Sequence, residues 1–143
     1  MTTSQTTARL GTAATNSSAA RPLRLFLGLD AVVTAGNGLI YLVAAGPVGD
    51  LLDMDAGFLR GIGVFLTVYG LLVGLLARQD VPSAAATKIV IEANLLWAVA
   101  SIATAIFGWF DPNTIGTVWI PMQALVVGAF AVLQISGLRK LTN

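Results

Sequence analysis

The residues of this chain best suited to chemistry are polar side chains embedded in apolar sequence. Asp30, Thr34, Asn37 and Tyr41 stand at i, i+4, i+7 and i+11 in an otherwise apolar stretch. On a helix turning about 100° per residue they fall within a stripe roughly 60° wide, with Gly38 beside it. A second set, Asn94, Trp97, Ser101 and Thr104, repeats the pattern at i, i+3, i+7 and i+10. Counted from Arg24 at ~1.5 Å per residue, Asp30 lies ~9 Å into its segment, too deep for a short side chain to reach water. Asn94 lies at a similar depth counted from Lys88, so the two can meet. A carboxyl group in that position can carry a proton, hold a cation, or act as a general acid oriented by Asn94 and Tyr41. Thr, Asn and Tyr on the same stripe also suit plain hydrogen bonding between helices.

Other chemistries are excluded by composition. The 143 residues contain no Cys and no His, so thiolate metal sites, disulfides, CxxC redox pairs and Ser-His-Asp triads cannot be built from them. No metal site and no cofactor motif is expected. A net charge of +1 gives no field for polyanions, which removes nucleic acid as a partner. With 56% hydrophobic and only 10% charged residues, the chain lacks the polar surface of a soluble domain.

The elements that must position these residues are apolar segments near 25–45, 58–77, 89–107 and 115–138, each close to the ~20 residues that span hydrocarbon. Turn-like sequence separates them: Gly46-Pro47 with Asp50, Asp53 and Asp55, then Asp80-Val81-Pro82-Ser83, then Asp111-Pro112-Asn113. The fold expected is all-α, a transmembrane four-helix bundle with antiparallel neighbours over residues 21–143. Residues 1–20, rich in Thr, Ser and Ala, read as a disordered cytoplasmic tail without a signal-peptide core. Of eight basic residues, only Arg60 falls on the side opposite Arg9, Arg21, Arg24, Arg78, Lys88, Arg139 and Lys140. Lys and Arg near span ends resist translocation, so both termini are expected in the cytoplasm of a multi-pass protein of the cell membrane. Trp109 and Trp119 fit an interfacial aromatic belt at the opposite face.

The remaining features read as packing. Gly63, Thr67, Gly70 and Gly74 share one face of the second segment, and Gly70-xxx-Gly74 lets another backbone come close, in this bundle or in a second copy. Glu92 stands one turn from Lys88, the spacing of an ion pair near the membrane surface. Pro121 bends the last segment, where Gln123 and Gln134 read as interhelical hydrogen-bonding groups.

Leu29-Asp30-Ala-Val-Val-Thr-Ala-Gly-Asn37, Phe58-Leu-Arg-Gly-Ile-Gly63, Glu92-Ala-Asn94-Leu-Leu-Trp97 and Gly108-Trp109-Phe110 resemble segments of small actinobacterial four-helix membrane proteins, over about residues 22 to 140. That resemblance implies topology and brings no activity with it. The architecture is loosely similar to DoxX-like proteins. A carboxylate in the first helix and an aromatic third helix also resemble small multidrug-resistance transporters, although Asp stands here where that family has Glu. Three roles follow as expectations: a structural or accessory membrane subunit, with the bilayer and a partner membrane protein or second copy around it; a proton-coupled transporter of small lipophilic compounds using Asp30; and an acid-catalysis enzyme acting on a lipid or isoprenoid. The first leads, because no complete catalytic set is present.

Overall fold

The computed structural model describes residues 17–108 and 113–142. Five helices follow in order: α1 (Arg21–Val43), α2 (Ala45–Leu52), α3 (Ala56–Ala77), α4 (Ala84–Phe107) and α5 (Thr114–Thr142). No strand occurs among the described residues. α1, α3, α4 and α5 are each long and apolar enough to cross a membrane. Most of the tail read at 1–20, together with Trp109, Phe110 and Asp111, lies outside the described residues. Residues 17–19 form a helical turn and Ala20 is buried.

The helix ends follow from local chemistry. Pro22 sits in the first turn of α1, where a missing N–H costs nothing. Asp55 caps α3 by accepting from the Phe58 amide at 2.9 Å, and Ser83 caps α4 by accepting from Ala86 at 3.3 Å. Gly108, at φ 69°, closes α4 in the left-handed conformation. The short helix α2 is the element that Gly46-Pro47 concealed. Pro47 is its third residue, within the first turn, so proline does not interrupt the intrahelical bonding there. α2 ends at Asp53, whose φ of 55° is tolerated by Asp better than by most residues. Asn113 then ties α2 to the start of α5, donating from Nδ2 to the Leu51 carbonyl at 2.6 Å and accepting from the Gly116 amide at 3.0 Å.

Two helix pairs, α1 with α3 and α4 with α5, make the most extensive contacts; α1 also packs on α5, and α3 barely approaches α4. The α1–α3 contact is a small-residue seam. A Cβ on Gly70 would lie 2.7 Å from the Ala35 nitrogen, one on Gly63 2.8 Å from the Gly38 carbonyl, and one on Gly38 2.6 Å from the Thr67 nitrogen. A Cβ on Gly74 would meet Ala31 Cβ at an ordinary 3.6 Å. The glycine face is thus taken up by α1 of the same chain. At the end of the bundle near the termini, Leu23, Leu27, Val73, Leu76, Val90 and Leu138 form one apolar core, and Arg24 Nε donates to the last carbonyl of α3, Ala77, at 3.1 Å. No ion pair joins Glu92 to Lys88; both line a groove shared with Arg139.

The seam separates the three glycines by what a methyl group would meet. Gly70→Ala must push α1 away and should lower the stability of the purified protein by about 1–3 kcal/mol, the usual cost of overpacking, whereas Gly74→Ala should stay within about 0.5 kcal/mol of the parent. Equilibrium unfolding in mixed micelles measures both, and equal effects would contradict the seam.

Candidate functional site

Asp30 is 1% exposed, and three donors converge on its carboxyl group. Thr34 Oγ1 donates to Oδ1 at 2.8 Å from one turn along α1. Asn94 Nδ2, on α4, donates to Oδ2 at 2.8 Å. Gln134 Nε2, on α5, donates to the same oxygen at 2.7 Å. The second hydrogen of Asn94 Nδ2 reaches Gln134 Oε1 at 3.0 Å, which closes a ring of three side chains from three helices. On the far side, the Tyr69 hydroxyl of α3 shares its hydrogen between the Val90 carbonyl at 3.2 Å and Asn94 Oδ1 at 3.4 Å. Each of the four long helices therefore supplies a side chain to the ring or to its border. All partners of Asp30 are neutral, and no ion pair reaches it among the described residues. No buried side-chain nitrogen or oxygen is left without a partner among them.

The stripe read on the first helix divides between two places. Asp30 and Thr34 join Asn94 in the ring, whereas Tyr41, eleven residues further on, belongs to a second cluster roughly 16 Å along the axis. There its hydroxyl accepts from Trp119 Nε1 at 2.7 Å and from Gln123 Nε2 at 2.6 Å. Asn37 is half-buried and makes no side-chain hydrogen bond with another described residue. Trp97 also leaves the Asp30 ring: it stacks on Phe65 with ring centres 6.2 Å apart and planes 7° from parallel, and lines a cavity.

That cavity holds about 210 Å³ and sits at the α2 end of the bundle, where the weak α3–α4 contact leaves space. Tyr41, Ser101, Thr104 and Gln123 give it polar points; Leu52, Met54, Phe58, Ile62 and Trp97 supply apolar wall. No charged side chain lines it, and Asp30 does not reach it. No group of three or more His, Cys, Asp or Glu residues able to hold a metal ion occurs among the described residues.

Tyr69, which borders the ring through Asn94, is the residue that sequence reasoning passed over; Gln134 was read as an interhelical hydrogen-bonding group, and what the residues did not name is its partner, Asp30. A lone glutamine on an apolar helix has no chemistry of its own to mark it. Its signal was Gly137 one turn later, where a Cβ would lie 2.9 Å from Leu23 Cα and which therefore brings α5 against α1. Tyr69 carried a plainer sign, a hydroxyl in the middle of an apolar span.

The ring fixes the order of effects at Asp30. In Asp30→Asn the remaining oxygen can still accept from Asn94 and Gln134, while the new amide donates to Thr34 after its hydroxyl turns. Stability should stay within about 1 kcal/mol of the parent. Asp30→Leu keeps the branched shape but is bulkier and strands those donors, and should lose about 2–3 kcal/mol or more, at the ~1 kcal/mol typical of such bonds inside membrane proteins with overpacking added. Reversible unfolding in SDS-containing micelles reads both, and a stable Asp30→Leu would remove the ring from any account of the fold. Among known proteins, no family model, no curated protein and no solved structure matches this chain.

Proposed function

We propose that the chain is a small integral membrane protein of the accessory or structural type, an antiparallel four-span bundle with both termini in the cytoplasm, in which Asp30 pins the spans together. The observation that carries this reading is that both oxygens of the Asp30 carboxyl group are engaged by donors. Its oxygens accept from Thr34, Asn94 and Gln134, it is 1% exposed, and it stands apart from the cavity. A carrier that exchanged a proton for a cation at Asp30 would need an approach to that carboxyl group for both. An acid catalyst would need a substrate within hydrogen-bond reach of it.

Orientation is supported by the chain's charge. Arg21, Arg24, Arg78, Lys88, Arg139 and Lys140 flank the end of the bundle that holds the Leu23 and Leu138 core, and Asp50, Asp53 and Asp55 flank the other. The four apolar spans make the bilayer the first partner, and the accessory role adds a second membrane protein or a second copy of this chain.

Reporter fusions at residues 50, 80, 111 and 143 should report outside, inside, outside and inside. Cross-linking in intact membranes should give a defined species larger than the single chain, unchanged in Asp30→Asn. A bundle that remains single and moves a lipophilic cation across vesicles against a proton gradient, with the movement lost in Asp30→Asn, would overturn this function in favour of transport.

A further inference from the structure

The hydroxyl groups at the α2 end do not all find partners, unlike those around Asp30. The Tyr41 oxygen accepts two N–H bonds, from Trp119 and Gln123, while Tyr41 is 4% exposed. A phenol also carries one hydrogen to donate, and no described residue accepts it. Turning the Gln123 amide over, so that its oxygen accepts from the phenol, moves the spare hydrogen onto the amide nitrogen and does not remove it. Ser101 repeats the pattern. Thr67, Thr87, Thr104, Thr117 and Thr142 each bond back to the carbonyl four residues earlier. Ser101 does not, and makes no hydrogen bond to any described residue; its hydroxyl oxygen stays accessible, at the cavity surface.

Both surplus donors line the same uncharged cavity. Its volume of about 210 Å³ exceeds the ~150 Å³ of a protein cavity that accepts benzene. Phe58, Ile62 and Trp97 line both this cavity and a shallow groove on the outer face between α3 and α4. The cavity thus continues toward the surface that the spans present to lipid.

We infer that this cavity binds a neutral lipophilic molecule bearing a carbonyl oxygen, which accepts hydrogen bonds from the Tyr41–Gln123 pair and Ser101 while its apolar body lies between α3 and α4 beside Trp97. Two hydrogen-bond donors with nothing to donate to, walls without charge, and a sideways opening together select that chemistry. A cation would meet no carboxylate here, and an anion would meet no Lys or Arg. The site is independent of the role given to Asp30, which does not line it.

Benzophenone, a neutral diaryl ketone and a photolabel, is the probe. Irradiated with the full chain in nanodiscs, it should label saturably, with adducts mapped to the cavity wall at Met54, Ile62 or Trp97. Fluorenone should displace it at about five-fold lower concentration than fluorene, which has the same rings without the oxygen, since a single hydrogen bond is worth about that factor. The double variant Ala100→Leu, Thr104→Leu, which fills the cavity, should cut labelling at least about ten-fold with an unchanged unfolding midpoint. If that variant fails to fold, the ketone and hydrocarbon competitors decide alone. Stronger labelling in diether than in diester lipid would make a lipid ester carbonyl the native occupant, and equal labelling would make it a free lipophile; both support the site. Adducts spread over all lipid-facing positions, or equal displacement by fluorene and fluorenone, would overturn it.

Discussion

A carboxyl group buried among apolar helices has no water to satisfy it, so an oxygen left without a donor raises the free energy of the fold. Asp30 meets that constraint by gathering donors from its own helix, from α4 and from α5. The hydrophobic effect gives little reason for one apolar span to prefer another within lipid, because lipid tails are as apolar as leucine. A polar group that must be bonded gives such a reason. α1 is joined to α5 and α4 through Asp30, and to α3 through close backbone approach at Gly38, Gly63 and Gly70. The two devices overlap: small residues hold α1 to α3, and α1 meets α5 both through Gly137 and through the Asp30–Gln134 bond.

The two ends of the bundle differ as a consequence. Near the termini, polar groups are closed on one another and large aliphatic side chains fill the centre. Toward α2, the separation of α3 from α4 is bridged by aromatic rings, Phe65 of α3 stacking on Trp97 of α4. Rings spanning a wide gap leave space that aliphatic side chains would have filled, and the cavity occupies it. α2 contributes Leu52 to the cavity wall and is held to α5 through Asn113. The chain is therefore firm where the carboxyl group is buried and open where its unused donors lie.

Much of this was legible in the residues. Four helices of membrane-crossing length followed from apolar length, and equal depth on two helices made Asp30 and Asn94 able to meet, as they do. The division of the Asp30-to-Tyr41 stripe was not legible, because helical periodicity places residues on a face without saying which neighbour each one meets. Nothing in the spacing of Asp30, Asn37 and Tyr41 shows that α5 presents Gln134 at one level and Trp119 with Gln123 at another. α2 was hidden for a related reason: Gly46-Pro47 is a turn signal in isolation, and only the position of Pro47 within a first helical turn reconciles it with a helix. Trp97 and Ser101 shared a face with Asn94 as expected, but the width of the α3–α4 gap, which decides that they line a cavity, is a property of the assembled bundle.

The ring at Asp30 is tested most directly by the exchange of side-chain amide hydrogens, followed by nuclear magnetic resonance on the chain labelled at Asn and Gln and held in micelles. Amide hydrogens of Asn94 and Gln134 committed to Asp30 should exchange with water far more slowly than those of an exposed amide such as Gln79, and Asp30→Leu should abolish that protection. Exchange at Asn94 and Gln134 as fast as at Gln79 in the parent protein would mean that water reaches the carboxyl group, and would contradict the sealed ring on which this account of the bundle depends.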